Sequence, residues 1–233
     1  GNDRLASFGK YFHDYLPQII HRVEPEVQSL LIDFASVYPA EDLKQYLLDK
    51  ARSQEMDFAY RSVRILGNFY YHELIANDFI LHPDPILRNI AILALDKIPT
   101  KQTIEALTPL LADSKSAEPC ITVISHILKK EPHFLPWLVD LFHTHENEKV
   151  RQGLAQILSN RIEYLLMQLI IGNDSKIQPL LIEMIRMGKI NGIIGFLIKN
   201  KTIEVENAVL AILRPLLQEF DTLRTEIQLY LPE

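Results

Sequence analysis

Cysteine is nearly absent: Cys120 is the only one in 233 residues. An internal disulfide is therefore impossible, which excludes a disulfide-stapled secreted scaffold. Glycine is scarce as well, with 8 residues, about half its usual share, and that argues against a turn-dense all-β fold. Basic excess is lacking too. Lys and Arg number 24 against 30 Asp and Glu, for a formal net charge of −6 and a pI near 5.8, so nucleic acid is not an expected partner. No stretch approaches the roughly 18 uninterrupted apolar residues of a membrane span. The greasiest, Leu165–Ile171 and Ile193–Ile198, are broken by Gln and Gly, so no membrane insertion is expected. Phosphate loops, zinc knuckles and dinucleotide fingerprints are missing. The first twenty residues carry Asp3, Arg4, Lys10, His13 and Asp14, unlike a signal peptide. An opening Gly1-Asn2-Asp3 without Met is expected of a processed or trimmed product. Together these features suggest a cytoplasmic chain, or one tethered to a membrane by an upstream segment.

What is present is an ordinary globular composition, 48% apolar and 23% charged, long enough for a substantial core. It is organised by an internal period. His82-Pro83-Asp84-Pro85 opens the clearest unit, with an acidic capping residue and a proline at the first helical position. Leu87, Ala91, Ala94, Leu95 and Ile98 then follow at the spacing of one helical face. Similar starts recur about thirty residues apart, at Glu24, Glu55, Asp84, Ser114, Asn147, Asp174 and Thr202. Each is a residue type that accepts from exposed N–H groups at a helix start. Three positions on stand Val27, Phe58, Leu87, Ala117, Val150, Ile177 and Val205. The columns seven, ten and eleven positions on are equally apolar, Ser62 and Ser125 excepted. The pattern places Leu87, Ala91, Leu154, Ile157 and Ile185 in the core.

Between these helices lie others with their own stripes, such as Ile104, Leu107, Leu110 and Leu111, or Ile162, Leu165, Leu166 and Leu169. Each repeat therefore reads as two antiparallel helices joined by a short turn. One such pair cannot bury its apolar faces alone, so neighbours must stack. No linker interrupts the series, and residues 1–233 read as one domain.

The segment Asp84 to Leu95, acidic-Pro-x-Leu-Arg-x-x-Ala-x-x-Ala-Leu, resembles the second helix of a HEAT-type repeat. Asn147-Glu148-Lys149-Val150-Arg151 repeats its opening, and Ile104 to Asp113 resembles the matching first helix. The short period is similar to the HEAT-like class also found in phycobilin lyases. The family's Arg column survives as Arg88 and Arg151. The resemblance implies an all-α fold: a right-handed α-α superhelical solenoid of about seven HEAT-like two-helix repeats over residues 24–220. A capping helix over 1–23 carries the stripe Leu5, Phe8, Tyr11, Phe12, Tyr15, Leu16, Ile19 and Ile20. A second cap over 221–233 carries Leu223, Ile227, Tyr230 and Leu231.

Candidate chemistry weighs toward packing and binding. His72-Glu73 and His145-Glu146 resemble pairs of HEAT-like di-iron hydroxylases, but that pattern needs four pairs in two symmetric halves. His143-x-His145, with His133 near in sequence, reads as a solvated turn. Cys120 reads as a small packing residue, and Gly192-Ile193-Ile194-Gly195 as a close helix contact. Tyr70-Tyr71 cannot both face one core, which makes them candidates for an aromatic binding groove. HEAT-like DNA glycosylases need a basic groove around an extruded base, whereas among the residues expected to line the concave side the only local basic cluster is Arg61 with Arg64. No catalytic residue, metal or cofactor is expected.

The expected function is a non-catalytic scaffold that docks a protein or peptide on the concave face. Tyr60, Arg61, Arg64 and Asn89 form the best contact patch, continued by Gln152 and Gln156, because aromatics, Arg and amides are common at interface hot spots. The alternatives are a HEAT-like enzyme, bilin-lyase-like or DNA-glycosylase-like, and a regulatory domain excised from a longer chain, soluble itself and membrane-anchored in the parent.

Overall fold

The computed structural model describes residues 15–35, 43–69, 75, 78–172, 176–200 and 202–214. Among these, every regular element is a helix. They fall into two compact units, one running to Leu107 and the other starting at Thr108.

The first unit holds α1 (Pro25–Ala35), α2 (Lys44–Ala51), α3 (Met56–Asn68), α4 (Pro85–Ala94) and α5 (Lys101–Leu107). Its central helix is α3, which packs on α1, α2 and α4. Val63 and Leu66 of α3, Leu47 and Ala51 of α2, and Leu87 and Ala91 of α4 are all buried. Helices α3 and α4 approach so closely that a Cβ on Gly67 would stand 2.4 Å from the Cβ of Ala94. Only glycine fits that crossing.

The second unit starts with a 3-10 turn, Thr108–Ala112. It continues through α6 (Ala117–Lys130), α7 (Leu135–Thr144), α8 (Glu148–Ser159), α9 (Ile162–Gly172), α10 (Ile177–Arg186), α11 (Ile190–Lys199) and α12 (Ile203–Leu213). Here α8 packs on α6, α7 and α10, and α12 packs on α9, α10 and α11. Leu154, Ile157, Leu181, Met184, Ile185 and Ile212 form much of its core. Gly192 meets the side chain of Ile162, 2.9 Å from where a Cβ would stand, whereas Gly195 faces open space. Only the first of those two glycines makes the expected close contact. Gly188 takes a left-handed φ of 76° after α10. There the Lys189 N–H donates to the Met184 carbonyl at 2.9 Å and the Gly188 N–H to that of Ile185 at 2.8 Å, the Schellman arrangement that ends a helix.

Three expected caps are formed. The Asp84 carboxylate accepts from the Leu87 N–H at 2.8 Å. Asn147 Oδ1 accepts from the N–H groups of Lys149 and Val150, at 2.9 and 3.3 Å. Thr202 Oγ1 accepts from the Val205 N–H at 3.3 Å. Glu24 and Glu55 directly precede α1 and α3, and Glu55 makes no side-chain cap. Asp174 lies outside the described residues.

Two registers differ from expectation. Helix α6 does not start at Ser114. Asp113 closes a turn first, accepting from the Lys115 N–H and the Ser116 hydroxyl at 3.2 and 2.9 Å, and the helix begins at Ala117. The buried set is consequently Cys120, Val123, Ile124, Ile127 and Leu128, while Ala117, Ile121 and Ser125 are only half-buried. In α1, Val27 is 41% exposed and Ile32 is the buried residue. Gln28 is half-buried there instead, held by the Tyr46 hydroxyl at 3.2 Å and by its own bond to the Val23 carbonyl at 2.9 Å.

Of the expected N-terminal stripe, Leu16 and Ile20 are buried and Tyr15 is exposed. Its earlier residues lie outside the described residues, as do Tyr70, Tyr71 and the stripe from Leu223 to Leu231. Among the described residues, no helix is long and apolar enough to cross a membrane.

Candidate functional site

Tyr60, Arg61 and Arg64 sit on the side of α3 turned away from its buried residues, but the three are not equally available. The Tyr60 hydroxyl donates to Asp84 Oδ1 at 3.2 Å, the same oxygen that caps α4. Desolvation raises the Tyr60 pKa, and the hydrogen bond to Asp84 and the charges of Asp84 and Asp57 raise it further. Arg61 Nη1 lies 2.7 Å from Asp33 Oδ2, an exposed ion pair between α3 and α1. Arg64 is exposed and makes no ion pair among the described residues. Tyr60 and Arg61 thus fasten α3 to its neighbours, while Arg64 keeps its charge open to solvent.

Asp33, Tyr60, Arg61, Arg64 and Ile90 line one open depression. Ile90 belongs to a feature that sequence reasoning missed. Ile86 is 55% exposed, Leu93 is 49% exposed, and Ile90 is half-buried between them. Their spacing of four and three puts all three on one side of α4. Asn89, the fourth residue of the expected patch, is half-buried next to Ile90. The signal was available: α4 carries two apolar stripes, one with Leu87 and Ala91 and one with Ile86, Ile90 and Leu93. A helix apolar on both sides is buried all round or covered by something else.

Gln152 and Gln156 belong to the second unit, one turn apart on α8 and both exposed. They line an open groove with Ala112, Ala117, Ile121, Lys149 and Met187. Gly153 forms part of it, because a Cβ there would stand 3.1 Å from the Leu111 side chain. Gln152 Nε2 donates weakly to Glu148 Oε1, at 3.4 Å.

Three histidines of the second unit take separate partners. His133 Nδ1 is 3.3 Å from Glu131 Oε2, and His143 Nε2 is 2.5 Å from the Lys176 carbonyl oxygen. His145 Nδ1 accepts from the Asn147 N–H at 3.2 Å. His72-Glu73 lies outside the described residues. Among the described residues no three His, Cys, Asp or Glu side chains converge as a metal site would need. Cys120 is a buried thiol, outside any internal disulfide, in the first turn of α6.

The two surviving residues of the Arg column have the same task. Arg88 Nη1 donates to the His82 carbonyl at 2.9 Å, and Arg151 Nη1 to the His145 carbonyl at 2.9 Å. Each draws the turn before its helix back onto the helix.

No family model and no curated protein matches this chain.

Proposed function

We propose that the helix pairs are HEAT-like repeats of an α-α solenoid, and that the chain is a non-catalytic scaffold whose second helices bind a protein or peptide. The observation that carries this reading is the side of α3 and α4 turned away from their buried residues. An exposed guanidinium, Arg64, and an apolar row, Ile86, Ile90 and Leu93, stand on two packed helices and share a depression at Ile90. Apolar anchors with a charged rim are what a specific interface presents. The backbone beneath them is already folded, so little ordering is needed on binding. Gln152 and Gln156 provide a second, amide-rich surface on α8. The −6 net charge discourages broadly acidic partners, so recognition depends on a local patch.

The test is affinity capture from a lysate of the source cells, using the whole chain and its Arg61→Ala/Arg64→Ala variant. Expected is at least one protein retained by the wild type and depleted about tenfold or more by the variant, with the two melting together. Equal retention of every captured protein would remove this surface as the binding site.

A further inference from the structure

We propose that the side of α4 bearing Ile86, Ile90 and Leu93 receives a short amphipathic helix of a partner protein, whose carboxylates meet Arg64 and Lys97. The inference rests on the scaffold reading and specifies the partner's chemistry. From Ile86 to Leu93 the row spans about 10 Å at the helical rise, so two to three turns of a partner helix cover it. Anchors at i, i+3 or i+4 and i+7 are the spacing with which such helices enter a groove.

Charge decides the flanks. Arg64 makes no ion pair among the described residues, and Lys97 Nζ donates at 2.8 Å to a neutral acceptor, Asn68 Oδ1. Asn68 lies one turn beyond Arg64 on α3, and Lys97 ends the 3-10 turn Leu95–Lys97 that follows α4. Both cations therefore stand toward the C-terminal ends of the two helices. Carboxylates collect at the other end of α3, where Glu26 and Asp57 line an opening with Phe58 and Arg61. That gradient orients a partner helix, with its acidic end at Arg64 and Lys97. The same carboxylates, with Asp33 beside Arg61, oppose an anionic bilayer surface, so the observations favour a single acidic helix over a membrane.

The test is to pan a phage library of twelve-residue helical peptides on the whole chain, followed by fluorescence anisotropy with the enriched synthetic peptide. Expected clones carry three apolar residues at helical spacing and Asp or Glu at one end. Their affinity should fall about tenfold or more with Arg64→Glu and with Leu93→Asp. Both positions are exposed, so both variants should melt with the wild type. The decisive readout is charge reversal: a peptide with its carboxylates exchanged for lysines should bind Arg64→Glu better than it binds the wild type.

Basic or uncharged clones, binding indifferent to Arg64→Glu, or a library that yields no clone overturns the acidic occupant. Clones that lack carboxylates yet lose binding with Leu93→Asp overturn it while leaving the scaffold reading intact. Clones that ignore both substitutions remove this face altogether. Leu93-dependent flotation with equimolar phosphatidylserine and phosphatidylcholine vesicles, without peptide binding, assigns the face to a membrane and overturns the proposal.

Discussion

Two turns, His82–Arg88 and His145–Arg151, share three hydrogen bonds. In each, histidine Nδ1 accepts the N–H of the residue two positions on, at 3.1 Å from Asp84 and 3.2 Å from Asn147. That residue caps the helix, and an arginine in the first turn reaches back to the histidine carbonyl. Helices α6 and α10 start differently, after Ser116 and Lys176, and neither has a side-chain cap. The contrast separates two ways of locating a helix. At a clasped start, donors and acceptors within seven residues fix the boundary. At an unclasped start no side chain caps the helix: before α6 the turn closed by Asp113 comes first, and the packing of the apolar face selects which residues are buried.

The largest test of this contrast lies in α6, whose frame is set by packing. Ile127 is fully buried and Ile121 half-buried. Ile127→Asp should unfold the second unit, because an unpaired buried carboxylate costs on the order of 4 kcal/mol or more. Ile121→Asp should cost about 1 kcal/mol or less. Circular dichroism melts of the two variants decide it, and the reverse order would put α6 back in the frame that starts at Ser114.

Legibility in the sequence follows the same division. The starts at Asp84, Asn147 and Thr202 were readable because cap and helix are neighbours in the chain. Ser114 misled because Asp113, one residue earlier, offers a competing carboxylate that closes a turn. The apolar columns could not arbitrate, since isoleucines at 121, 124 and 127 suit more than one frame. Arg61 and Tyr60 were recognisable as surface residues, but not as fasteners, because their partners Asp33 and Asp84 lie 28 and 24 residues away. Of two adjacent stripes on α4, only three-dimensional packing decides which is covered. The two glycines at 192 and 195 present the same difficulty on a smaller scale, since only one of them meets a neighbour.

Behind the clasped helices, close packing differs in tightness. A Cβ on Gly67 would stand 2.4 Å from the Cβ of Ala94 in α4, whereas one on Gly153 of α8 would stand 3.1 Å from the Cβ of Leu111, a milder overlap. Gly67→Ala should therefore cost about 2 kcal/mol through displacement of a helix. Gly153→Ala should cost less than half of that, since a shift of a few tenths of an ångström relieves it. Chemical denaturation of both variants measures the difference, and equal losses would mean that the two crossings yield alike.

If the clasps work alike, both arginines should matter. Arg88→Ala should destabilise by about 1.5 kcal/mol, the scale of a hydrogen bond from a charged donor, and Arg151→Ala by at least as much, since Arg151 Nη1 also donates to the Glu146 carbonyl at 3.0 Å. Lysine should rescue little, because it lacks the planar fork that reaches the turn. A neutral result at one site and a loss at the other would show that only one turn depends on its clasp.

Each cap has one bond that the other lacks, Asn147 from the Lys149 N–H and Asp84 from the Tyr60 hydroxyl, and that gives the finest test. Asp84→Ala and Asn147→Ala should each lose about 1 kcal/mol as caps. Asp84 also accepts from the Tyr60 hydroxyl, which Asn147 has no counterpart for among the described hydrogen bonds. Asp84→Ala should accordingly be the more damaging, and its surplus should vanish in a Tyr60→Phe background. The cycle is clean because Tyr60→Phe removes the donor and leaves the ring in place. A surplus that persisted in that background would have to come from the carboxylate acting on the helix start itself. The link between α3 and the α4 cap would then add nothing to the fold, and the Tyr60 hydroxyl would be as available to a partner as the Arg64 guanidinium.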